Sequence, residues 1–141
     1  MKHFALIIII LVNIANAGDW QQFRGPSGNG IASDAALPAT LDQKNLKWST
    51  EMPGRGLSGV IVVGERVILT CSSGPRQDRL HVVCLSAKDG SFFWHRQFWA
   101  TGRTMCHSKT SVAGPTPCSD GKYIYANYSS NDLVCLDLNG N

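Results

Sequence analysis

Beyond residue 45 the apolar residues fall into short runs bounded by glycine, proline and Asn/Asp turn residues, at 46–51, 59–63, 66–71, 80–86, 91–99, 111–118, 123–128 and 132–138. These runs are rich in β-branched and aromatic side chains, and several alternate strictly, as Tyr123 and Tyr125 do against Ile124 and Ala126. Such a pattern predicts strands half-buried on each face. Beyond the first 17 residues, no stretch carries the long 3.6-residue apolar period of a helix, so the pattern predicts an all-β chain. Residues 18–45 read as an irregular lead-in. Gly25-Pro26-Ser27-Gly28-Asn29-Gly30 is a turn cluster and Leu37-Pro38 opposes a helix there, so this segment is expected to wrap the outside of the body.

The runs repeat. Val83-Cys84-Leu85-Ser86-Ala87-Lys88-Asp89-Gly90 returns as Val134-Cys135-Leu136-Asp137-Leu138-Asn139-Gly140, an offset of 51. The preceding strands align as Gly64-Glu65-Arg66-Val67-Ile68-Leu69 with Asp120-Gly121-Lys122-Tyr123-Ile124-Tyr125, an offset of 56. The first copy therefore has the longer connection, around residues 72–78. Counting from Gly59, four strands (59–63, 66–71, 80–86 and 91–99) complete one unit before the pattern restarts at Ser111. Four antiparallel strands per repeat predict a β-propeller blade. About two blades are expected here, 59–99 and a partial 111–141. Two copies are fewer than repeat arrays usually need, and the chain stops at a point where the first copy continues. An N-terminal fragment of a longer protein is the expectation.

The motif Leu85-Ser86-Ala87-Lys88-Asp89-Gly90-Ser91-Phe92-Phe93-Trp94 resembles the repeat of the PQQ-like (pyrroloquinoline quinone repeat) β-propeller family. In that repeat a leucine, an aspartate and an alanine precede a glycine turn, with tryptophan four residues on. Leu85, Ala87, Gly90 and Trp94 match; Ser86 departs from the aspartate, which Asp137 restores between Leu136 and Gly140. The lead-in Asp19-Trp20-Gln21-Gln22-Phe23-Arg24-Gly25-Pro26, with Asn45-Leu46-Lys47-Trp48, is similar to the start of exported planctomycete-type bacterial members. The resemblance implies that 46–51 is the closing strand of the last blade, and that Trp48 and Trp94 pack between blades. It also implies a binding or scaffolding module for a small molecule, a polysaccharide or a protein. Two other activities belong to such propellers: a quinoprotein dehydrogenase using pyrroloquinoline quinone with calcium, and an outer-membrane protein assembly factor. No adjacent cysteine pair or carboxylate cluster favours the cofactor here, and no cysteine follows Ala17 to carry a lipid.

Charge adds little. The formal net charge is +3, and removing a leader with Lys2 leaves 12 basic against 10 acidic residues, a balance that calls for no nucleic acid. The leader itself is distinctive. Lys2 and His3 precede an apolar run of nine residues from Phe4, and Ala15-Asn16-Ala17 has the A-x-A form of a cleavage site. That run is too short to span a bilayer, so residues 1–17 predict a signal peptide, and the mature chain is expected to be periplasmic or extracellular. Of five cysteines, Cys84 and Cys135 hold equivalent strand positions and are expected to be buried; Cys71, Cys106 and Cys118 lie near strand ends, where a disulfide is open.

Candidate chemistry gathers in the connections. In a propeller the segments 54–56, 74–78, 100–110 and 129–131 share one face. Residues 90–119 contain no acid yet carry Arg96, Arg103, Lys109, His95 and His107. Arg103 and Lys109 could receive an anionic group, with Arg55 and His107 beside them; a solvated loop whose acids lie on a neighbouring unit is the plainer alternative. Gly102 would let a ligand approach the backbone. Adjacent Cys106 and His107 are ligand types, but neighbours in an extended chain point apart, so no metal site is expected. Gly54-Arg55-Gly56-Leu57-Ser58-Gly59 matches a dinucleotide fingerprint in letters only, since strand follows it rather than helix. Asn127-Tyr128-Ser129 is a formal glycosylation acceptor and is not expected to be used.

Overall fold

The glycines that close the hairpins set the architecture. Gly64 turns β1 (Ile61–Val63) into β2 (Arg66–Ser73), and the turn ending at Gly90 joins β3 (Arg79–Ser86) to β4 (Phe92–Trp99). The four strands form one antiparallel sheet in chain order. A second antiparallel sheet follows, of β5 (Cys118–Ser119), β6 (Tyr123–Asn127) and β7 (Leu133–Asp137). The only helix among the described residues is a 3-10 turn, Gln43–Asn45. The structure, a computed structural model, describes residues 18–32 and 37–141; the expected signal peptide lies outside them.

The sheets stack face to face. Ile61, Val63, Ile68, Leu80, Val82 and Cys84 of the first meet Ile124, Ala126 and Leu136 of the second, with Val112, Ala113 and Tyr128 closing the same core. The opposite face of the first sheet carries Cys71, Val83 and Leu85, covered by Trp48 and Met52.

Three expected elements differ. The stretch 111–118 is strand only from Cys118, because Pro115 and Pro117 lack the N–H a ladder needs, and the carbonyls of Val112 and Ala113 are taken by Ser129 and Leu57. Residues 46–51 are extended but belong to neither sheet; they act as a cover. The lead-in does more than wrap. Trp20 N–H donates to Val62 O at 2.8 Å, Val62 N–H returns a bond to Trp20 at 2.9 Å, and Gln21 O accepts from Ser119 N–H at 2.8 Å. Residues 20 and 21 thus stitch β1 to β5.

The repeat itself needs a correction of one residue. Val67 pairs with Leu85, and Ile124 with Leu136; Ile68 pairs with Cys84, and Tyr125 with Cys135. The true offset in the first two strands is therefore 57, Val67 to Ile124, with Gly64 equivalent to Gly121 and both at positive φ. Strand periodicity is two, so a slip of one exchanges the faces. Val67, Leu69, Val83 and Leu85 correspond to Ile124, Ala126, Val134 and Leu136, which face backward along the stack. Ile61, Ile68, Val82 and Cys84 correspond to Cys118, Tyr125, Leu133 and Cys135, which face forward. Cys135 is accordingly exposed, not buried, since no described element packs on that side of the second sheet. All five cysteines are free thiols.

One contact recurs at both joints of the stack. The Trp48 indole lies on Gly90 and donates Nε1–H to Ala87 O at 3.1 Å; the Trp94 indole lies on Gly140 and donates to Leu138 O at 3.0 Å. Two residues beyond each tryptophan, Thr50 Oγ1 donates to Gly90 O at 2.7 Å and Arg96 Nε to Gly140 O at 2.6 Å. Both glycines have positive φ, 73° and 83°, and a Cβ on Gly90 would stand 2.5 Å from the Trp48 ring. The segment around Trp48 thus sits on the first sheet as β4 sits on the second.

Gly90→Ala is expected to cost more than the roughly 1–2 kcal/mol of a left-handed backbone alone, because the ring must also move. Trp94→Ala should cost on the order of 3 kcal/mol; urea denaturation midpoints check both. Burial pushes the Cys71 and Cys84 thiols up to about 11, so in the native chain a thiol reagent at neutral pH should modify Cys118 and Cys135 and spare those two.

Candidate functional site

Four connections converge at one end of the two sheets. Arg55 exchanges both backbone hydrogen bonds with Ser72 at 2.8 Å, which brings 54–56 alongside β2. Position 56 must be glycine there, since a Cβ would collide with Thr70 O. That contact, rather than phosphate binding, accounts for the glycine-rich letters.

Gln77, in the β2–β3 turn, ties the end together. Its Oε1 accepts from Ser72 Oγ at 3.0 Å and Val112 N–H at 3.2 Å, and its Nε2 donates to Cys106 Sγ at 3.4 Å. Ser111 Oγ bonds to Ser72 Oγ at 3.0 Å and to Arg55 O at 3.0 Å. Asp132, in the β6–β7 turn, accepts from Ser130 Oγ at 2.6 Å and from both the backbone N–H and the hydroxyl of Thr101. Burial by itself would raise the Asp132 carboxyl, but these donors outweigh it and hold the group below the usual carboxylate range. Gly102 fits by lying against Ser130 O, so its open backbone serves the chain's own packing rather than a ligand.

Between the β2–β3 turn and the 100–110 loop lies an open cleft of about 350 Å³, lined by Pro75, Arg76, Gln77, Thr104, Met105 and Cys106. Arg76 pairs with Asp78 at 3.0 Å and remains largely exposed. None of the four residues singled out from sequence lines this cleft. Arg55, His107 and Lys109 come together at one turn beside it: Arg55 Nη1 donates to Ser108 O at 2.7 Å, and His107 Nδ1 accepts from Lys109 N–H at 3.1 Å. Arg103 stands apart, its Nη2 3.8 Å from Met105 Sδ. Cys106 and His107 are engaged separately, by Gln77 and Lys109, and among the described residues no group of three or more His, Cys, Asp or Glu could hold a metal.

Sequence reasoning missed Gln77, Ser72, Ser111 and Asp132. Their only signal was position: polar residues at strand ends flanking the connections. The acid that meets the acid-free loop does come from the neighbouring unit, but Asp132 binds Thr101, not a basic side chain.

No family model matches the chain, and no curated protein does. Among the described residues no helix is long and apolar enough to cross a membrane.

Asp132 gives the loop end an acid dependence. Its folded carboxyl ionises more readily than the unfolded one, so its contribution is present above about pH 4 and is lost as pH falls through the lower folded value. Asp132→Asn should cost about 1–2 kcal/mol at pH 7. In urea denaturation, the gap between wild type and variant should narrow at pH 3.

Proposed function

We propose that this chain comprises two consecutive units of an exported β-propeller of the PQQ-like repeat type, acting as a binding or scaffolding module whose loop-bearing end receives its ligand or partner. The observation that carries the reading is the duplicated tryptophan-on-glycine joint. Trp48 meets the first sheet as Trp94 meets the second, a relation that can be continued from unit to unit. Cys118, Tyr125, Leu133 and Cys135 occupy the positions through which the first sheet receives the second, which supports further stacking in the same sense. Stacked units that close into a ring cover both faces of every sheet and leave only short, protected edges.

The binding role rests on the convergence of four connections around an open cleft, with Arg55, His107 and Lys109 at one side and Arg103 and Arg76 within the same end. Loops held by a rigid sheet are where recognition concentrates. The excess of cations over acids on this end suits an anionic group, such as the carboxylates of an acidic glycan.

Titration of the chain with polygalacturonate, and separately with pyrroloquinoline quinone, tests this reading. Loss of a hydrogen bond to a charged group is worth about 1.5–3 kcal/mol, so Arg103→Ala should weaken the binding at least tenfold, and Lys109→Ala should weaken it in the same direction. Identical titration curves for wild type and both variants would reduce this end to a solvated connection.

A further inference from the structure

The backward face of the first sheet holds a cluster that the loop end does not use. Ser73 ends β2 and pairs in register with Arg79; His81 lies two residues further along β3, and His95 lies across from Val83 on β4. All four side chains therefore project from one face at neighbouring positions. Ser73 Oγ is 2.8 Å from His81 Nε2, and His81 Nδ1 is 2.8 Å from His95 Nε2. Two tautomers satisfy both contacts; in the one that makes His81 a base, the Ser73 hydroxyl donates to Nε2, Nδ1–H of His81 donates to His95 Nε2, and the remaining His95 N–H is left for solvent.

His81 is 2% exposed, while Ser73 is half-buried and His95 is exposed. Its backbone is anchored as well, with Tyr128 Oη–H donating to His81 O at 2.8 Å. Burial, reinforced by the nearby charges of His95 and Arg79, lowers the His81 pKa and keeps a neutral imidazole available at neutral pH. Arg79 has no carboxylate partner among the described residues; its guanidinium rests over Trp99, 5.5 Å from the ring centroid, and Trp99 is 62% exposed. A hydroxyl on a base, the base on an orienting group and a free cation beside both make up the arrangement of an activated nucleophile.

We propose that Ser73, His81, Arg79 and His95 form an acyl-transfer site for small carboxylic esters, separate from the loop end. Ser73 is the nucleophile and His81 its base, Arg79 faces the oxyanion, and Trp99 offers an apolar surface for the acyl group. His95 is a positioning residue, holding the His81 ring in its tautomer. In the first step the Ser73 Oγ–carbonyl bond forms while the hydroxyl proton passes to His81 Nε2. The ester C–O bond then breaks, and the alcohol leaves carrying that proton. Water, deprotonated by the same nitrogen, attacks the acyl-serine; the carboxylic acid departs and the proton returns to Ser73.

The test is independent of the anion-binding reading of the loop end, since it uses neither Arg103 nor Lys109. The purified chain is incubated with a fluorophosphonate and, separately, with 4-nitrophenyl acetate. An adduct mapped to Ser73 by mass spectrometry, abolished in Ser73→Ala, is expected. Ester turnover should fall by about a hundredfold or more in His81→Gln, and by a similar factor in Arg79→Gln. His95 is exposed, so His95→Gln should fold normally; it should slow labelling and shift the pH dependence of the rate, which a merely structural residue would not do. Melting curves of every variant separate lost chemistry from lost fold. Labelling of the wild type no faster than of Ser73→Ala, or an adduct on another residue, overturns the proposal, as does a pH profile unchanged in His95→Gln.

Discussion

The contact on which the arrangement depends is an indole laid flat on a glycine turn. A β-sheet buries its faces only if a neighbour stands over each one. Here the registration of neighbours is set at a single point per joint, where a tryptophan ring covers a left-handed glycine and its N–H takes a carbonyl of the same turn. The turn must have no side chain for the ring to reach it, and positive φ for the chain to reverse there, so glycine answers both demands at Gly90 and Gly140. Thr50 and Arg96 then secure the carbonyls of the two glycines themselves, Gly90 and Gly140, by different chemistry, a hydroxyl in one case and a guanidinium in the other. The geometry repeats although the donor does not.

With the joints in place, the two sheets can use their faces differently. The shared core takes Ile68, Val82 and Cys84 from one sheet and Ile124, Ala126 and Leu136 from the other. The backward face is only partly covered by Trp48 and Met52, which leaves room at the β2 end for Ser73, His81 and Arg79. A polar chain of this kind survives in a half-buried place because each member has a partner; an unpaired imidazole there would bear its full desolvation cost.

At the loop end the organising groups are amides and hydroxyls rather than charges. Gln77 bridges β2, the 100–110 loop and the Val112 backbone, and Ser111 bridges Ser72 and Arg55. Among the described residues Arg103 and Lys109 have no carboxylate partner, while neutral bridges of this sort hold the backbone that carries them.

Much of the fold was legible in the chain, because strand pattern and turn chemistry are local. The strands at 66–71, 80–86 and 91–99, the glycine turns and the duplicated Cys-Leu motif all follow from residues close in sequence. The one-residue error in the repeat offset shows the limit: Tyr123 and Ile124 are both good strand residues, and only the pairing of Ile124 with Leu136 decides which of them faces the core. The same holds for Cys84 and Cys135, alike in sequence and opposite in exposure. Prolines at 115 and 117 were visible signals against a strand at 111–118 and outweighed the apolar pattern. The sites were less legible still. Arg55 and Ser108 lie 53 residues apart and Thr101 and Asp132 lie 31 apart, while His81 and His95 meet only through the cross-strand register that sets His95 opposite Val83. Sequence by itself determined the strands, their turns and the repeat, since those depend on backbone preference and on the period of two. Which face each residue occupies, and which distant polar groups come together, was decided by tertiary structure, because hydrogen bonds across strands and between loops depend on a register that no local run of residues specifies.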